Sequence, residues 1–286
     1  MRRASRPDTL GPVISISVLS LKGGVGKTSV ALGLAGAAAK RGLKVLVIDL
    51  DPQGNATMGC GVEKSSIVRG VGDLLVGDCR FSEVRLDLEE PPMALLPANQ
   101  DLVAAEVQLL SMPAGREARL REALAPVRHG YDVILIDCPP SLNLLTVNAL
   151  VAADGVLVPM QCEYYALEGL TALMSTIEQI RAAANPALEI EGVLRTMYDP
   201  RNNLTNEVSD QLVAHFGDKV FRTIVPRNVR LAEAPSFGKP ALLHDKDSRG
   251  ALAYLALAGE MIRRGEAPAG TSPSGAPAAS ATPAGA

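Results

Sequence analysis

A glycine-rich loop with two lysines is the part of this sequence whose residue types and spacing point most directly to chemistry. It reads SLKGGVGKTS at 20–29 and directly follows an apolar run, VISISVL, at 13–19. Three glycines allow backbone N–H groups to turn inward around phosphate oxygens, and a helix that begins near Lys27 adds the positive end of its dipole. Lys27 would reach the β- and γ-phosphates of a nucleotide, and the Thr28 hydroxyl would hold Mg²⁺. With glycine at about 7% of residues, such a pattern arises by chance on the order of once in 10⁵ chains of this length, so a turn without function is disregarded.

Three acidic residues follow apolar runs that are typical of buried strands. Asp49 lies in KVLVIDL at 44–50, Asp51 comes next but one, and Asp137 ends YDVILID. The last arrangement is typical of a strand that carries a carboxylate to magnesium through water. Ligands of open α/β sheets bind at the carboxyl ends of the strands, so we expect these carboxylates near the glycine-rich loop. The alternative, that they only cap a turn, stays open chiefly for Asp49.

The rest of the chain supplies the elements that would position these residues. Further apolar runs at 154–160 and 190–198 continue the series of strand-like segments. Runs that are apolar at nearly every position are typical of parallel strands covered on both faces. Strand and helix in alternation predict an α/β fold with a doubly wound, mostly parallel sheet and helices on both faces. Helices are predicted at 29–41, 142–152, 167–184 and 248–264.

Composition restricts the class of protein. Of 286 residues, 47% are hydrophobic and only 3% aromatic, which fits a globular protein with an aliphatic core. The four cysteines form no C-x-x-C pair, which argues against a zinc site or a disulfide framework and favours a reducing cytoplasm. No apolar segment suits a signal peptide or a membrane-spanning helix. Because the net charge is −3, binding to nucleic acid would need a local basic patch.

Five separated motifs carry a family resemblance. KGGVGKTS resembles the deviant Walker A loop of the ParA/MinD group of P-loop NTPases, since Leu21 replaces the first glycine of the ordinary pattern and Lys22 follows it. LDPQGNAT, DCPPSL, PMQCEYYALEGL and VPRNVRLAEAPSFGKP resemble the chromosomal ParA (Soj) branch. The resemblance covers 13–264, which we expect to form one ParA-type P-loop ATPase domain. Residues 1–12 are predicted to be a flexible leader, and residues 265–286, rich in Ala, Pro, Ser and Gly, a disordered tail.

The resemblance implies roles for the site residues. Lys22 would reach across a nucleotide-sandwich dimer to the phosphates of the other subunit, where a cation from each side offsets the repulsion between two triphosphates. Asp51 would orient or activate the attacking water, and Asp49 would lie closer to the magnesium. Pro226 and Asn228 would lie beside the adenine, although an asparagine in a turn is the alternative. The implied catalytic residues are Asp51, Lys22 and Lys27; nucleotide binding falls to Lys22, Gly23, Gly24, Val25, Gly26, Lys27, Thr28, Ser29, Pro226 and Asn228, and Mg²⁺ binding to Thr28, Asp49, Asp51 and Asp137.

The resemblance further implies a switch with ATP and Mg²⁺ as cofactors. Hydrolysis without an internal arginine finger should be slow, and a ParB-type partner would stimulate it. The ATP-bound homodimer would bind double-stranded DNA without sequence preference, which places the protein on the nucleoid in the cytoplasm. Dimerisation doubles the phosphate contacts and makes binding steeply salt dependent. Matching basic positions are Arg201 and Arg230, and Lys239, Lys246 and Arg249 are further candidates from the same half of the chain.

Other functions remain as alternatives. A related ATPase could position a protein cargo on the nucleoid instead of DNA. A nucleotide-gated binding module with vestigial hydrolysis is disfavoured, because Lys27, Thr28, Asp51 and Asp137 are all present. Membrane binding of the MinD type needs a carboxyl-terminal amphipathic helix rich in lysine and large apolar residues. Here the last predicted helix leads into an Ala/Pro tail, so we expect no membrane partner.

Overall fold

A computed structural model describes residues 13–266, and its centre is one eight-stranded sheet. The strands are β1 Ile14–Val18, β2 Val45–Asp49, β3 Leu86–Leu88, β4 Met93–Leu96, β5 Val133–Asp137, β6 Gly155–Gln161, β7 Glu189–Tyr198 and β8 Val220–Pro226. They lie in the order β3-β4-β2-β5-β1-β6-β7-β8, and all neighbours are parallel except β3 and β4. β1 lies between β5 and β6, at the point where the strand order reverses direction. The loop after β1 therefore lies where open α/β sheets bind their ligands.

Helices cover both faces of this sheet. They are α1 Lys27–Lys40, α2 Asn55–Gly59, α3 Val71–Val76, α4 Phe81–Val84, α5 Asp101–Leu110, α6 Arg119–Leu124, α7 Leu144–Ala152, α8 Ala166–Ala183, α9 Asn203–Phe216, α10 Val229–Glu233, α11 Ala241–His244 and α12 Arg249–Glu266. Short 3₁₀ turns lie at 64–66, 128–130, 217–219 and 234–237. None of the described helices is long and apolar enough to cross a membrane.

Alternation along the buried strands divides the core into two layers. In β2, Leu46 and Ile48 pack in the layer beneath α3, α5, α6, α7 and α8, whereas Val45 and Val47 pack in the layer beneath α1, α11 and α12. Successive side chains of a strand point to opposite faces, so a strand that is apolar throughout joins both layers. In the second layer α1 and α12 approach closely at Gly33, where a Cβ atom would lie 2.3 Å from the Tyr254 ring.

The predicted fold class is confirmed, and so are the five predicted strands, which became β1, β2, β5, β6 and β7 with ends shifted by at most two residues. The segments β3, β4 and β8 were not among the predicted runs. Of these, β3 and β4 have only three and four residues, which carry too little periodicity to be separated from a loop. The last helix continues to Glu266, two residues into the segment predicted as the tail. The rest of that tail and the predicted leader at 1–12 lie outside the described residues.

Candidate functional site

The glycine-rich loop joins the end of β1 to the start of α1 at the carboxyl edge of the sheet. Gly24 and Gly26 have φ angles of 75° and 90°, the left-handed region that disfavours residues with a Cβ atom. No side chain caps the first turn of α1, and that turn holds no acidic residue. Its backbone N–H groups and the positive end of the helix dipole are therefore available to an anion, as expected for a phosphate-binding loop.

Three predicted residues of this site meet where β1 and β5 end side by side. Val18 and Asp137 are register partners, so the Asp137 carboxylate lies beside the start of the loop. The Thr28 hydroxyl donates a hydrogen bond of 2.7 Å to Asp137 Oδ2. Lys27 is only 7% exposed, and burial lowers the pKa of its ammonium while nearby Asp137 and Asp51 raise it. The buried lysine thus has anionic neighbours but remains desolvated, which favours interaction with a phosphate.

Asp137 fits the predicted magnesium role. It is fully buried, its Oδ1 atom has no hydrogen-bond partner among the described residues, and burial raises the pKa of its carboxyl well above the ordinary value. A buried carboxylate oxygen without a partner is costly, and a nearby cation, directly or through water, would remove that cost. No group of three or more His, Cys, Asp or Glu side chains suited to a metal ion occurs within 13–266. Thr28 and Asp137 are too few ligands for a metal that protein side chains alone must hold. They fit Mg²⁺ better, because Mg²⁺ usually keeps several of its waters and is also bound by the phosphates of the substrate.

Asp49 is engaged differently from the prediction. Its Oδ2 atom accepts hydrogen bonds of 2.7 Å from both the backbone N–H and the hydroxyl of Thr57, and its Oδ1 accepts one of 3.1 Å from the N–H of Asp51. The Thr57 hydroxyl in turn accepts the N–H of Ala98. Burial raises the pKa of Asp49 to about 6, against the lowering effect of these hydrogen bonds. This arrangement favours a role for Asp49 in holding the loop after β2, rather than the predicted contact with magnesium.

Asp51 lies in the loop that Asp49 holds. Its side chain is 9% exposed, and its Oδ1 accepts a hydrogen bond of 2.9 Å from the N–H of Gln53. The same carboxylate is close enough to Lys27 to raise the pKa of that lysine. The structure therefore brings Asp51 near Lys27 and Asp137, and the role of Asp51 toward the attacking water stays a prediction.

Lys22 lies at the exposed start of the glycine-rich loop. Its ammonium forms an ion pair with the carboxylate of Glu163, in the segment that follows β6. Glu163 lies within the motif PMQCEYYALEGL, in which no local pattern predicts a contact with Lys22. Both residues line a mostly apolar cavity of about 460 Å³, together with Tyr164 and Tyr165, whose side chains are 73% and 74% exposed.

The residues predicted to lie beside the base follow β8 at the same edge of the sheet. Pro226 ends β8. Asn228 caps α10, because its side-chain oxygen accepts a hydrogen bond of 2.8 Å from the N–H of Arg230. The sequence left open an asparagine in a turn, and in the structure Asn228 caps a helix instead. A contact with a base would use the amide nitrogen of Asn228.

The five predicted DNA-binding residues are all exposed, but they do not share one environment. Arg201, in the loop after β7, holds both carboxylate oxygens of Asp199 at 2.7 and 2.9 Å. Arg230 pairs with Glu233 and Asp245. Within the described residues no ion pair involves the remaining three, Lys239, Lys246 and Arg249.

Comparison with known proteins relates this site to characterised families. The family model described as AAA domain matches residues 13–190. Over 255 residues the chain is 49% identical to the chromosome partitioning protein ParA of Caulobacter vibrioides, covering 88% of this chain and 95% of that protein. It is 53% identical over 249 residues to the chromosome-partitioning ATPase Soj of Thermus thermophilus, covering 87% and 95%. Among solved structures, cobyrinic acid a,c-diamide synthase from Mycobacterium smegmatis with bound ADP and magnesium is similar, with 35% identity, a TM-score of 0.78, and coverage of 89% of this chain and 96% of that chain.

Proposed function

The chain belongs to the ParA/Soj family of chromosome-partitioning ATPases, and on that premise we propose that it is an ATP-driven dimerisation switch that binds DNA without sequence preference and is released on hydrolysis. ATP hydrolysis and a place in chromosome partition follow from the family. The observation that carries the proposal is the junction of the glycine-rich loop with Asp137, where Thr28 and an unpartnered carboxylate oxygen meet beside buried Lys27.

Each residue of this junction has a distinct part in phosphoryl transfer. The loop N–H groups and Lys27 bind and orient the phosphates, and Thr28 and Asp137 would hold Mg²⁺. Bound Mg²⁺ supplies charge neutralisation on the phosphate oxygens. Asp51 orients a water and accepts its proton, within a loop fixed by Asp49. Within 13–266 none of the residues placed at this junction is an arginine, which supports slow turnover that a ParB-type partner accelerates.

The dimer step of the proposal rests on Lys22. The side chain is 56% exposed at the mouth of the phosphate loop, so it is accessible to a second subunit. Two bound triphosphates facing each other would repel strongly, and one lysine delivered by each subunit offsets that repulsion. The neighbouring exposed tyrosines, Tyr164 and Tyr165, supply apolar area for the same contact.

Binding to DNA follows from dimerisation in this proposal. The chain carries a net charge of −3, so one subunit has no general attraction to phosphate. Two subunits together present twice the exposed basic side chains, which makes affinity depend on ATP and fall steeply with salt. On this basis we place the protein on the nucleoid.

Fluorescence anisotropy with a labelled duplex of random sequence tests the proposal. We expect binding with ATP and Mg²⁺, little with ADP, and a steep loss of affinity as salt rises. Lys27→Ala serves as the control that cannot load nucleotide. Equal binding with ATP, ADP and no nucleotide would contradict the switch, and ATP-dependent dimers that do not bind DNA would contradict its DNA-binding step.

A further inference from the structure

The carboxyl end of β7 contacts the glycine-rich loop, although β7 carries none of the residues predicted to bind the nucleotide. The hydroxyl of Thr196 donates a hydrogen bond of 2.8 Å to the carbonyl oxygen of Val25, a residue 171 positions away. Both residues are buried, with Thr196 2% and Val25 1% exposed. We propose that Thr196 is a positioning residue that orients the phosphate loop for nucleotide binding.

The next residue of β7 lies close to the next residue of the loop. A Cβ atom built on Gly26 would lie 3.9 Å from Cε of Met197. Side chains of a regular strand alternate between faces, so two successive residues do not normally reach one loop. Met197 has a φ of 49°, and within 13–266 no other residue besides glycines has a positive φ. This rare backbone conformation interrupts the alternation and explains why both residues lie near the loop.

The hydrogen bond of Thr196 fixes one peptide plane of the loop. The carbonyl of Val25 and the N–H of Gly26 belong to the same planar trans peptide, in which the two groups point in opposite directions. Because Thr196 holds the Val25 carbonyl toward β7, the N–H of Gly26 points away from β7. That direction is into the loop, where phosphate would bind. Glycine at 26 is otherwise free to rotate, so an external anchor gives this donor a fixed direction before nucleotide arrives.

The end of β7 is itself firmly held. The neighbouring side chain Arg195 is 9% exposed and donates hydrogen bonds of 2.9 Å to the Ser209 hydroxyl and to the Phe221 carbonyl. On the other side, the Tyr198 hydroxyl donates a bond of 2.7 Å to the side chain of Asn206. Thr196 therefore acts from a rigid support, which a residue needs if it is to orient a loop.

Titration of the full-length protein with ADP, with inorganic pyrophosphate as a competing probe, tests this inference. Thr196→Val keeps the side-chain shape and removes the donor, so we expect ADP affinity to fall about tenfold, whereas Thr196→Ser, which keeps the hydroxyl, restores it to within about twofold. Ser17→Ala is the matched control, because it removes a buried hydroxyl that donates to the Ala149 carbonyl in α7. That control should lower the melting temperature without changing ADP affinity.

The inference rests on the nucleotide site proposed above, and the outcomes separate the two. Wild type that binds neither ADP nor pyrophosphate overturns both. Wild type that binds ADP, with folded Thr196→Val binding equally well, overturns only the role of Thr196 and leaves the ATPase switch intact. Should Thr196→Val fail to fold, Thr196→Cys gives the same comparison with Thr196→Ser, since a thiol is a much weaker donor.

Discussion

The ammonium group of Lys22 is paired with the carboxylate of Glu163, which lies 141 positions later in the chain. The side chains remain 56% and 43% exposed, and ion pairs in such surroundings are weak, on the order of 1 kcal/mol or less. The pair thus orients the Lys22 side chain, but little free energy is needed to break it. In our proposal this lysine leaves Glu163 and contacts the nucleotide of a second subunit.

Substitution of each of the two loop lysines should affect a different step. Lys27 is buried among the phosphate-binding groups, so Lys27→Ala should weaken ATP binding by about a hundredfold or more. Lys22→Ala should leave ATP binding within about threefold of wild type and abolish ATP-driven dimerisation and turnover. Calorimetry measures the first effect and light scattering after gel filtration the second. Loss of ATP binding in both variants alike would contradict the division of roles.

Glu163→Gln should shift dimerisation in the opposite direction. The substitution removes the charge that holds Lys22 but keeps the size of the side chain, so less free energy is needed to release the lysine. We expect half-maximal dimerisation at about two- to fivefold lower protein concentration in the presence of ATP. Glu168→Gln is a suitable control, since Glu168 is an exposed acid in the first turn of the next helix. A dimer weakened by Glu163→Gln would indicate that Glu163 itself contributes to the interface.

Asp51→Ala should trap the ATP-bound state. The variant keeps the phosphate loop and the Thr28–Asp137 contact but lacks the group that we expect to act on water. We expect turnover to fall by about a hundredfold or more, ATP binding to persist, and DNA binding with ATP to last instead of decaying. Phosphate release and anisotropy over time measure these quantities. Hydrolysis at the wild-type rate would remove Asp51 from the mechanism.

The stability of the nucleotide-free protein should fall as pH rises from about 4 to about 6. Burial raises the pKa of Asp49 to about 6 in the folded chain, from an ordinary value of 3.8. Between these values the folded state binds more protons than the unfolded state, so the free energy of unfolding decreases with pH and the contribution is lost above about pH 6. Two pKa units correspond to at most about 3 kcal/mol.

Asp49→Asn tests the assignment of that pH dependence. The variant cannot titrate at this position, so its stability curve from denaturant unfolding should have a smaller negative slope between about pH 4 and pH 6. It should also be less stable overall, because an amide has a single acceptor oxygen and cannot accept both from Thr57 and from the N–H of Asp51. Parallel curves for wild type and variant would show that other buried groups account for the slope.

Arg201→Ala should reduce the salt dependence of DNA binding. Arg201 is exposed, and its only ion pair within 13–266 is with Asp199 on its own loop, so it is accessible to a phosphate. Loss of one phosphate contact per subunit should lower the slope of log affinity against log salt by about 1.8 per dimer. Arg80→Ala is the matched control, because Arg80 is an exposed arginine paired with Glu83 outside the predicted DNA-binding half. Equal slopes for wild type and Arg201→Ala would exclude this contact.

The sequence by itself determined the parts of the site that depend on local conformation. The glycines of the loop predicted a backbone that turns its N–H groups inward, and the structure has Gly24 and Gly26 at positive φ. The apolar run before Asp137 predicted a buried strand that ends in a carboxylate. These features are local because glycine permits positive φ and because a strand covered on both faces must be apolar at successive positions. The meeting of Thr28 with Asp137 followed from the rule that ligands gather at the carboxyl ends of parallel strands.

Only the tertiary structure decided which distant residues support that site. Asp49 was predicted beside magnesium, but its carboxylate is occupied by Thr57 and by the N–H of Asp51. Thr196 and Glu163 reach the glycine-rich loop from β7 and from the segment after β6. Such contacts depend on strand order and on how helices pack across the sheet, and a hydroxyl or a carboxylate far away in the chain carries no local pattern that reports its partner.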